Sequence, residues 1–378
     1  MNVEDVRKWR RDLHQIPELG LKEFQTKAYL KKQLEAMGYT PMDILETGLY
    51  VYIDQGKDNT IAFRTDMDAL PITEKNDCDF VSKHEGVMHA CGHDGHMSAL
   101  LGFAKRLSEE QHHFDVNLLL LFQPAEEAPG AAKLIVESGL LDRYNVKAIY
   151  GIHLMPTLDE GVVASKAGPL MAECGEIDVT IHGQDAHAGL PHLGVDAITI
   201  ASILINQYQH ILTRMKTPFE PAIINIGEIH GGQARNSVAS TVEMHGTVRT
   251  YSDEVFAMLM KHIEDLHQGA EKAYGCTIDW SCPPMYPPVL NNAKLFQHAQ
   301  SSYPIEQLST PLMLAEDFAF YQKAIPGLFV FVGTRSSRYQ SGLHTDRFNF
   351  NEEVLLKAVD MYMSIAENFK GAMCDELL

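Results

Sequence analysis

The sequence predicts an α/β protein of two domains, in which a smaller domain is inserted into a larger one built on a mostly parallel sheet. Three observations support this prediction. Strand-like and helical patterns alternate through the first 155 residues, the middle of the chain alternates apolar and polar residues, and the first pattern returns near the end. A length of 378 residues accommodates two or three domains, at roughly 100–200 residues each.

The first part of the chain alternates short, β-rich apolar runs with longer segments of helical periodicity. The strand-like runs are residues 48–53, 60–64, 116–122 and 148–153, and the helical segments are residues 3–15, 23–37, 95–107 and 131–140. Such an order of strand, helix, strand, helix indicates a parallel sheet covered by helices.

The middle of the chain has a different pattern, which predicts the inserted domain. Residues 176–182 alternate apolar and polar side chains, as a strand with one solvent-exposed face does. The downstream elements are helices at 196–214 and 253–274 and strands at 222–229, 241–250 and 277–281. The resulting βαββαβ order is that of a ferredoxin-like unit, a four-stranded antiparallel sheet with two helices on one face.

A proline-rich stretch at residues 282–288 marks the return to the larger domain. After it, the pattern predicts a strand at 327–333 and a helix at 352–369, which suit the parallel sheet better than the inserted one. We therefore expect a larger domain of residues 1–172 and 285–378 and an inserted domain of residues 173–284.

Composition and charge argue against several classes of protein. The formal net charge of −19 disfavours binding to nucleic acid, which needs a basic surface, and to anionic membranes. The longest notable apolar run, residues 118–122, is too short to span a bilayer. The first fifteen residues lack the apolar segment of a secretory signal and the six cysteines form no disulfide framework, so we expect reduced thiols and a cytoplasmic protein.

Polar side chains follow three of the predicted strands at the point where each ends. Asp66 and Asp68 follow the second strand, Glu126 and Glu127 follow the third, and His153 ends the fourth. Ligands of open α/β sheets bind outside the carboxyl ends of the strands. Carboxylates and an imidazole are suitable ligands for a divalent metal ion, so the sequence predicts a metal site at that edge.

Residues 89–96 bring three imidazoles, a thiol and a carboxylate into eight positions. On an extended segment Cys91 and His93 would point the same way, because side chains alternate with a period of two. A thiolate is a strong ligand that can also bridge two metals. The alternative is a helix N-terminus capped by Asp94, with Cys91 as a small buried side chain. We favour metal binding through Cys91 and His93.

Glu126 and Glu127 are adjacent, and neighbouring side chains diverge on any backbone. One carboxylate can therefore bind metal while the other faces the substrate as a general base. A pair of glutamates is otherwise common on a solvated surface. Here the pair follows a buried strand and the rigid Gln123-Pro124, which favours the catalytic interpretation.

Further motifs follow in order along nearly the whole chain, at residues 11–19, 64–71, 91–94, 122–127, 186–188, 191–192, 315–318 and 343–344. In this order they resemble peptidase family M20, the aminoacylase and carboxypeptidase superfamily of dinuclear metallopeptidases. Within it, the sequence is most similar to the amidohydrolase branch. That branch includes hippurate hydrolases, auxin-conjugate hydrolases, N-acyl-amino-acid amidohydrolases and N-acetyldiaminopimelate deacetylases.

The resemblance implies a site that holds two divalent metal ions, for which manganese, zinc, cobalt and nickel are all suitable. The ligands that it implies are Cys91, His93, Glu127, His153 and His344, with Cys91 bridging the two ions.

The resemblance also implies roles for acidic residues beside the ions. Glu126 would be the general base that activates the attacking water. The wider superfamily has a His-x-Asp pair where this chain has Asp66 and Asp68, so the metal-binding histidine of that motif is absent here. We assign Asp68, together with Asp66, to the orientation of a ligand, and Glu316-Asp317 to structural support near the site.

The inserted domain resembles the family's lid and dimerisation domain, which implies a homodimer or a tetramer formed through it. His187 would approach the reacting carbonyl oxygen, and Asn236 and Arg249 would bind the substrate's carboxylate and neighbouring groups. The alternatives are a structural histidine at His187 and a surface cation at Arg249.

The predicted reaction is hydrolysis of the amide bond of an N-acyl, above all N-acetyl, amino acid. N-acetyl-L,L-diaminopimelate, in lysine biosynthesis, is one candidate substrate, because residues 11–19 resemble that subgroup. The alternatives are a di- or carboxypeptidase of the same superfamily and a catalytically silent binding protein on this fold. Because every implied ligand position is filled, we favour an enzyme that acts on a small molecule.

Overall fold

The computed structural model of the protein describes residues 1–109 and 112–377. The helices are α1 (Val3–His14), α2 (Phe24–Ala36), α3 (His93–Glu109), α4 (Ala132–Glu137), α5 (Leu140–Arg143), α6 (Ala197–His210), α7 (Asp253–Tyr274), α8 (Ala293–Ser302), α9 (Ala319–Ala324), α10 (Leu355–Asn368) and α11 (Met373–Leu377). None of these described helices combines the length and the apolar character that crossing a membrane requires.

The strands alternate with these helices along the chain. They are β1 (Met42–Ile44), β2 (Gly48–Ile53), β3 (Thr60–Asp66), β4 (Asn117–Gln123), β5 (Val146–Asp159), β6 (Val163–Ser165), β7 (Gly168–Met171), β8 (Glu173–His182), β9 (Ala222–Gly231), β10 (Thr241–Thr250), β11 (Thr277–Ser281), β12 (Pro284–Tyr286), β13 (Val289–Asn291), β14 (Glu306–Gln307) and β15 (Gly327–Arg335).

The chain forms two compact units. The first comprises Met1–Leu170, Leu290–Pro311 and Glu316–Leu378, and the second comprises Met171–Val289 and Leu312–Ala315. The sequence pattern does not predict that Leu312–Ala315 belongs to the second unit, because four residues are too few to show a periodicity.

An eight-stranded sheet lies in the first unit, in the order β1-β2-β4-β3-β5-β15-β6-β14. The central strands β4, β3, β5 and β15 are parallel, whereas β2 is antiparallel to β4 and β6 is antiparallel to β15. The sheet is therefore mixed, and the prediction of a mostly parallel sheet holds for its centre. Residues 54–59 alone connect β2 to β3, too few for the crossover that would let the two strands run parallel.

Helix α3 carries the predicted metal-binding segment into the core of the first unit. All of its residues from His93 to Ala104 are buried, and it packs against α1 and α10. At Gly102 a β-carbon would lie 2.8 Å from a methyl group of Val359, so the helices approach more closely than a larger residue allows. A helix buried on all sides is typical of a domain core. His93 is therefore held inside the protein from the first turn of α3.

Two of the predicted helices are interrupted. The segment at 131–140 forms α4 and α5, which are separate because Gly139 adopts a left-handed conformation with φ of 75°. The segment at 196–214 forms α6, and its end, Ile211–Met215, is a π-helical turn.

In the second unit, β8, α6, β9, β10, α7 and β11 follow one another in the order βαββαβ. Its sheet has the order β11-β8-β10-β9, and each neighbouring pair is antiparallel. Ile177, Val179 and Ile181 of β8 share a core with buried residues of both helices. The helices therefore cover one face of the sheet and leave the other face polar. The short strand β12, which the sequence does not predict, also pairs with β8.

Candidate metal centre

The carboxyl ends of the central strands bring the predicted acidic residues together. β3 ends at Asp66, which pairs with Gln123 at the end of the parallel strand β4. Asp66, Asp68 and Glu126 are all buried there. His153 is buried too and lies in β5, the parallel strand on the other side of β3. These polar side chains converge because parallel strands end at the same edge of a sheet.

Cys91 lies at the centre of a cluster of metal-binding side chains. Its Sγ is 3.3 Å from His153 Nε2 and 3.3 Å from His344 Nε2. Two groups of three ligand atoms, each within 4.8 Å of one another, meet there: Cys91, His93 and His153 form one, and Cys91, Glu127 and His344 form the other. Because Cys91 belongs to both groups, two ions could share its sulfur.

Two imidazoles are oriented by hydrogen bonds from their Nδ1 atoms. His153 Nδ1 donates to the Leu154 carbonyl oxygen at 2.7 Å, and His93 Nδ1 donates to the Asp68 carbonyl oxygen at 2.9 Å. Burial, together with His96, lowers the pKa of His153 to about 3, so its Nε2 presents a lone pair. His93 Nε2 is buried and has no hydrogen-bond partner among the described residues. Both Nε2 atoms are thus oriented as metal ligands usually are.

His96 differs from the other two imidazoles because the protein occupies both of its nitrogens. Its Nδ1 donates to Asp66 Oδ1 at 2.7 Å, and its Nε2 accepts a hydrogen bond from the Leu154 N–H at 2.9 Å. His96 therefore has no nitrogen to offer to a metal. Asp66 is 3.9 Å from His93 Nδ1 and serves to hold His96 in this tautomer.

Asp68 holds the turn that carries the two glutamates. Its Oδ1 accepts a hydrogen bond from the Glu126 N–H at 2.9 Å, and its Oδ2 accepts one from the Glu127 N–H at 3.0 Å. Ala125, just before the pair, has a φ of 50° that L residues seldom adopt. A carboxylate that binds both following N–H groups stabilises this turn.

The two glutamate side chains diverge, as adjacency predicts. Glu127 Oε1 is 3.0 Å from His344 Nε2. Glu126 Oε1 instead accepts a hydrogen bond from the Asp317 N–H at 3.4 Å, and its Oε2 is 4.0 Å from His93 Nε2. One carboxylate thus lies in the Cys91–His344 group, and the other lies beside it.

His344 reaches the cluster from a loop rather than from a strand end. Its backbone N–H donates to the Ala90 carbonyl oxygen at 2.9 Å, and its φ of 58° is in the left-handed region. A non-glycine residue in that region is uncommon and is often found at functional sites. The side chain is exposed, whereas Cys91, His93 and His153 are buried.

A buried arginine, which the sequence analysis did not single out, crosses the base of the site. Arg64 donates to Gln123 Oε1 at 2.8 Å, to Asp66 Oδ2 at 3.0 Å and to Asp317 Oδ1 at 2.7 Å. Its guanidinium is also 3.1 Å from Glu316. The signal that could have found it is a cation that directly follows the apolar run Ile61-Ala62-Phe63 in the buried strand β3.

The chemistry of the donors fits divalent metal ions. Burial raises the pKa of Glu126, and the neighbouring carboxylates Glu316 and Glu127 raise it further. Burial likewise raises the pKa of the Cys91 thiol, with Glu127 adding to the shift. Metal cations bound among these groups would favour the ionised forms, the Glu126 carboxylate and the Cys91 thiolate, over the protonated forms. Sulfur, imidazole nitrogen and carboxylate oxygen together suit zinc, manganese, cobalt or nickel.

Asp94 belongs to a different buried network. Its Oδ2 accepts hydrogen bonds from Arg10 Nε at 2.9 Å and from His14 Nδ1 at 2.7 Å, and its Oδ1 accepts one from the Gly95 N–H at 2.9 Å. Asp94 therefore joins α1 to the beginning of α3, and its oxygens are already occupied by these donors.

The other three predicted site residues lie in the second unit. His187 and Asn236 are exposed, and the Asn236 carbonyl oxygen accepts a hydrogen bond from the Ala188 N–H at 3.0 Å. This bond joins the two loops that carry them. Arg249 is partly buried near the end of β10.

Comparisons with known proteins agree with this geometry. The sequence model of Peptidase family M20/M25/M40 matches residues 62–368. The N-acetyldiaminopimelate deacetylase of Bacillus subtilis (strain 168) is 37% identical over 382 residues, which cover 97% of this chain and 100% of that protein. The enzyme of the same name from Listeria monocytogenes is 37% identical over 371 residues, with 95% and 98% covered. A solved dinuclear metal-binding peptidase of family M20 from Bacillus subtilis has a TM-score of 0.84 at 31% identity, with 97% of each chain covered. The resemblance inferred from the motifs is thereby confirmed.

Proposed function

The chain belongs to peptidase family M20/M25/M40 and is a metal-dependent amide hydrolase, and we propose that it hydrolyses the amide bond of N-acyl amino acids, above all N-acetyl amino acids. The observation that carries this proposal is the position of Glu126 beside the cluster around Cys91. The products would be a carboxylic acid and a free amino acid. The names of two relatives make N-acetyl-L,L-diaminopimelate a specific candidate substrate.

We assign two divalent ions to the cluster around Cys91. The residues that would hold them are Cys91, His93, Glu127, His153 and His344, with Cys91 shared. Such ions, when bound, polarise the amide oxygen and lower the pKa of a water molecule towards ~7.

Glu126 would serve as the general base. Its carboxylate would take a proton from the attacking water and return it to the nitrogen of the leaving amine. Asp68 would support this role because it fixes the backbone of Glu126 and Glu127, while its carbonyl oxygen orients His93. Asp66 would act indirectly, because it accepts the hydrogen bond that orients His96.

We further propose that the second unit serves as a lid and dimerisation domain. His187, from either subunit of a homodimer, would donate a hydrogen bond to the oxyanion, a contribution of about 3–4 kcal/mol for one donor. Arg249 would bind the substrate's α-carboxylate with its fork of N–H groups, beside Asn236. The enzyme would act in the cytoplasm on free small molecules.

A peptidase of the same family is the second candidate, because the solved relative from Bacillus subtilis is described as a peptidase. A panel of N-acetyl and N-benzoyl amino acids, N-acetyl-L,L-diaminopimelate and dipeptides, assayed with each of the four metals, separates the two candidates. We expect a higher kcat/KM for N-acyl amino acids than for any dipeptide. The opposite order would favour the peptidase.

Removal of the metal ions is expected to abolish hydrolysis and to lower the melting temperature. The buried carboxylates and Cys91 would lose the cations that offset their charge, and a ligand that binds the folded state stabilises it. Metal analysis should find two divalent ions per chain, and their return after chelation should restore the rate. A purified protein that lacks divalent ions and resists chelators would contradict the proposal.

Replacement of Asp68 by alanine is expected to weaken metal binding by about 10–100-fold, because partners that orient ligands have effects of this size. The variant leaves two buried N–H groups, those of Glu126 and Glu127, without their acceptor. Competition with a chelating dye measures the affinity. The exposed Asp79→Ala serves as the control, and equal affinities in the two variants would show that Asp68 does not position the site.

A further inference from the structure

The polar face of the sheet in the second unit contains a cleft of about 420 Å³. Its walls come from β8, β9, β10 and β12, and opposite charges lie at its two ends. Arg249 is at one end, and the carboxylates of Glu176, Asp178 and Glu228 line the remainder. A concave surface with separated charges is suited to a ligand that carries both signs.

The strand register fixes the spacing of these charges. Arg249 and His245 are four residues apart on β10, which corresponds to roughly 14 Å of strand. Asp178 and Glu228 lie opposite His245 on the two neighbouring strands, so they mark the acidic end. Glu176 pairs with Thr247, which lies midway between Arg249 and His245 on β10. Glu176 therefore lies between the two ends of the cleft.

A glycine of β10, Gly246, lies in the floor of the cleft. The pairing of β10 with β9 is irregular between His245 and Gly246. A β-carbon at Gly246 would overlap the carbonyl oxygen of Asn225, so a larger residue does not fit there. Thr247, the next residue of β10, lies between the basic and the acidic ends and also lines the cleft.

The charges at the two ends do not neutralise each other directly. Arg249 Nη1 donates to the carbonyl oxygen of Met313 at 2.6 Å. Within the described part of the second unit, neither Arg249 nor Glu176 forms an ion pair with any residue, although both line the cleft. The guanidinium and this carboxylate are therefore both available to a ligand.

The other two carboxylates are only partly offset. Asp178 Oδ1 is 2.6 Å from His245 Nδ1, and Glu228 Oε2 is 3.4 Å from the exposed His230 Nε2. The hydrogen bond with Asp178 raises the pKa of His245. Even with one imidazole protonated, three carboxylates including Glu176 leave this end of the cleft negative.

We propose that this cleft selects N-acyl amino acids whose side chain ends in an ammonium group, such as those of lysine and ornithine. The inference rests on the proposed function, which assigns the substrate's α-carboxylate to Arg249. A side chain that extends from there along β10 brings its terminal ammonium to Glu176, and the charges of Asp178 and Glu228 lie just beyond it. An ammonium offers three donors to these carboxylates, whereas an apolar side chain would desolvate them without pairing.

Two substrates that differ only in the terminal ammonium test this selectivity. Nα-acetyl-L-lysine and N-acetyl-L-norleucine share the same aliphatic chain. For the metal-loaded wild-type enzyme we expect kcat/KM to be at least about tenfold higher for the lysine compound, which is the ratio that one charge-assisted hydrogen bond gives. In Glu176→Gln and Glu228→Gln this ratio should fall several-fold, chiefly through a higher KM for the lysine compound.

Glu243→Gln is the matched control. Glu243 is likewise an exposed glutamate of this sheet. It lies in β10, opposite Thr180 and His230, and does not line the cleft. The control should keep the wild-type ratio. Equal kcat/KM for the two substrates in the wild-type enzyme would overturn the inference, as would an equal loss on both substrates in Glu176→Gln.

A binding measurement separates this inference from the proposed function. Calorimetric titration of the metal-loaded protein with free L-lysine and L-norleucine should show tighter binding of lysine, and Glu176→Gln should remove the difference. Equal affinities, or no binding of lysine, would contradict the inference. If the proposed function itself is wrong, the result is different, because no N-acyl amino acid of either kind is then hydrolysed.

Discussion

Replacement of Glu126 by glutamine is expected to lower kcat for N-acetyl amino acid hydrolysis by about 10²–10⁴-fold, the usual contribution of a general base. Glutamine has nearly the same volume and can still accept the hydrogen bond from the Asp317 N–H. It cannot, however, take a proton from water. Glu126 forms a candidate ligand group with His93 and Glu127 but lies outside both groups that contain Cys91, so we expect the metal content to stay at the wild-type value.

Steady-state kinetics and metal analysis of the same preparation check this expectation. Glu137→Gln is the control, because Glu137 is an exposed glutamate at the end of α4. A Glu126→Gln enzyme that keeps its ions and works at nearly the wild-type rate would show that another group accepts the proton. Loss of the ions in this variant would instead make Glu126 a ligand.

Replacement of Arg64 by methionine is expected to destabilise the first unit by about 3–5 kcal/mol, as removal of one partner from a buried ion pair does. Arg64 is fully buried and lies within 3.1 Å of Asp66, Glu316 and Asp317. Without Arg64, these carboxylates lose their positively charged partner, which they need because they are buried. Arg64→Lys should be intermediate, because an ammonium keeps the charge but lacks the planar fork.

Urea unfolding of the metal-loaded proteins measures these differences. Arg106→Met is the control, since Arg106 is partly exposed and pairs with Asp360 on the surface. Exposed pairs contribute about 0–1 kcal/mol. If Arg64→Met does not fold, Arg64→Lys still gives a measurable value. A change below about 1 kcal/mol in Arg64→Lys and in Arg64→Met would show that the carboxylates do not depend on Arg64.

The positions of Asp66, Asp68 and Glu126 could be predicted because each ends or follows a strand that local hydrophobicity reveals. Parallel neighbours then place these ends at one edge. His153 was predicted to end its strand but lies within β5, which continues to Asp159. Adjacency alone also predicted that Glu126 and Glu127 face different partners. The roles of His187, Asn236 and Arg249 are predictions.

Other features of the site depend on contacts that no local pattern shows. His344 lies in a loop, and only the family resemblance identified it. The preference for His93 over His96 became clear from the hydrogen bonds that occupy both nitrogens of His96. Arg64 escaped notice because its partners Glu316 and Asp317 are distant in sequence.

The limits of the fold prediction have a similar origin. The apolar run that forms β2 predicts a strand but not its direction, which depends on the length of its connection to β3. The short strands β1, β6, β12 and β14 have two or three residues each, too few to show an alternation. Long, periodic elements such as β10 and α7 were predicted with the bounds that the structure gives them.

The discontinuity of the first unit has a consequence for how the chain folds during its synthesis. Arg64 and Asp317 are 253 residues apart, as are Cys91 and His344, whereas most of the second unit is continuous in sequence. Domains generally fold as they emerge from the ribosome, N-terminal parts first. Most of the smaller unit can therefore form while the larger one still waits for its last third. With the proposed ligands, the metal centre would be complete only after His344 has been added.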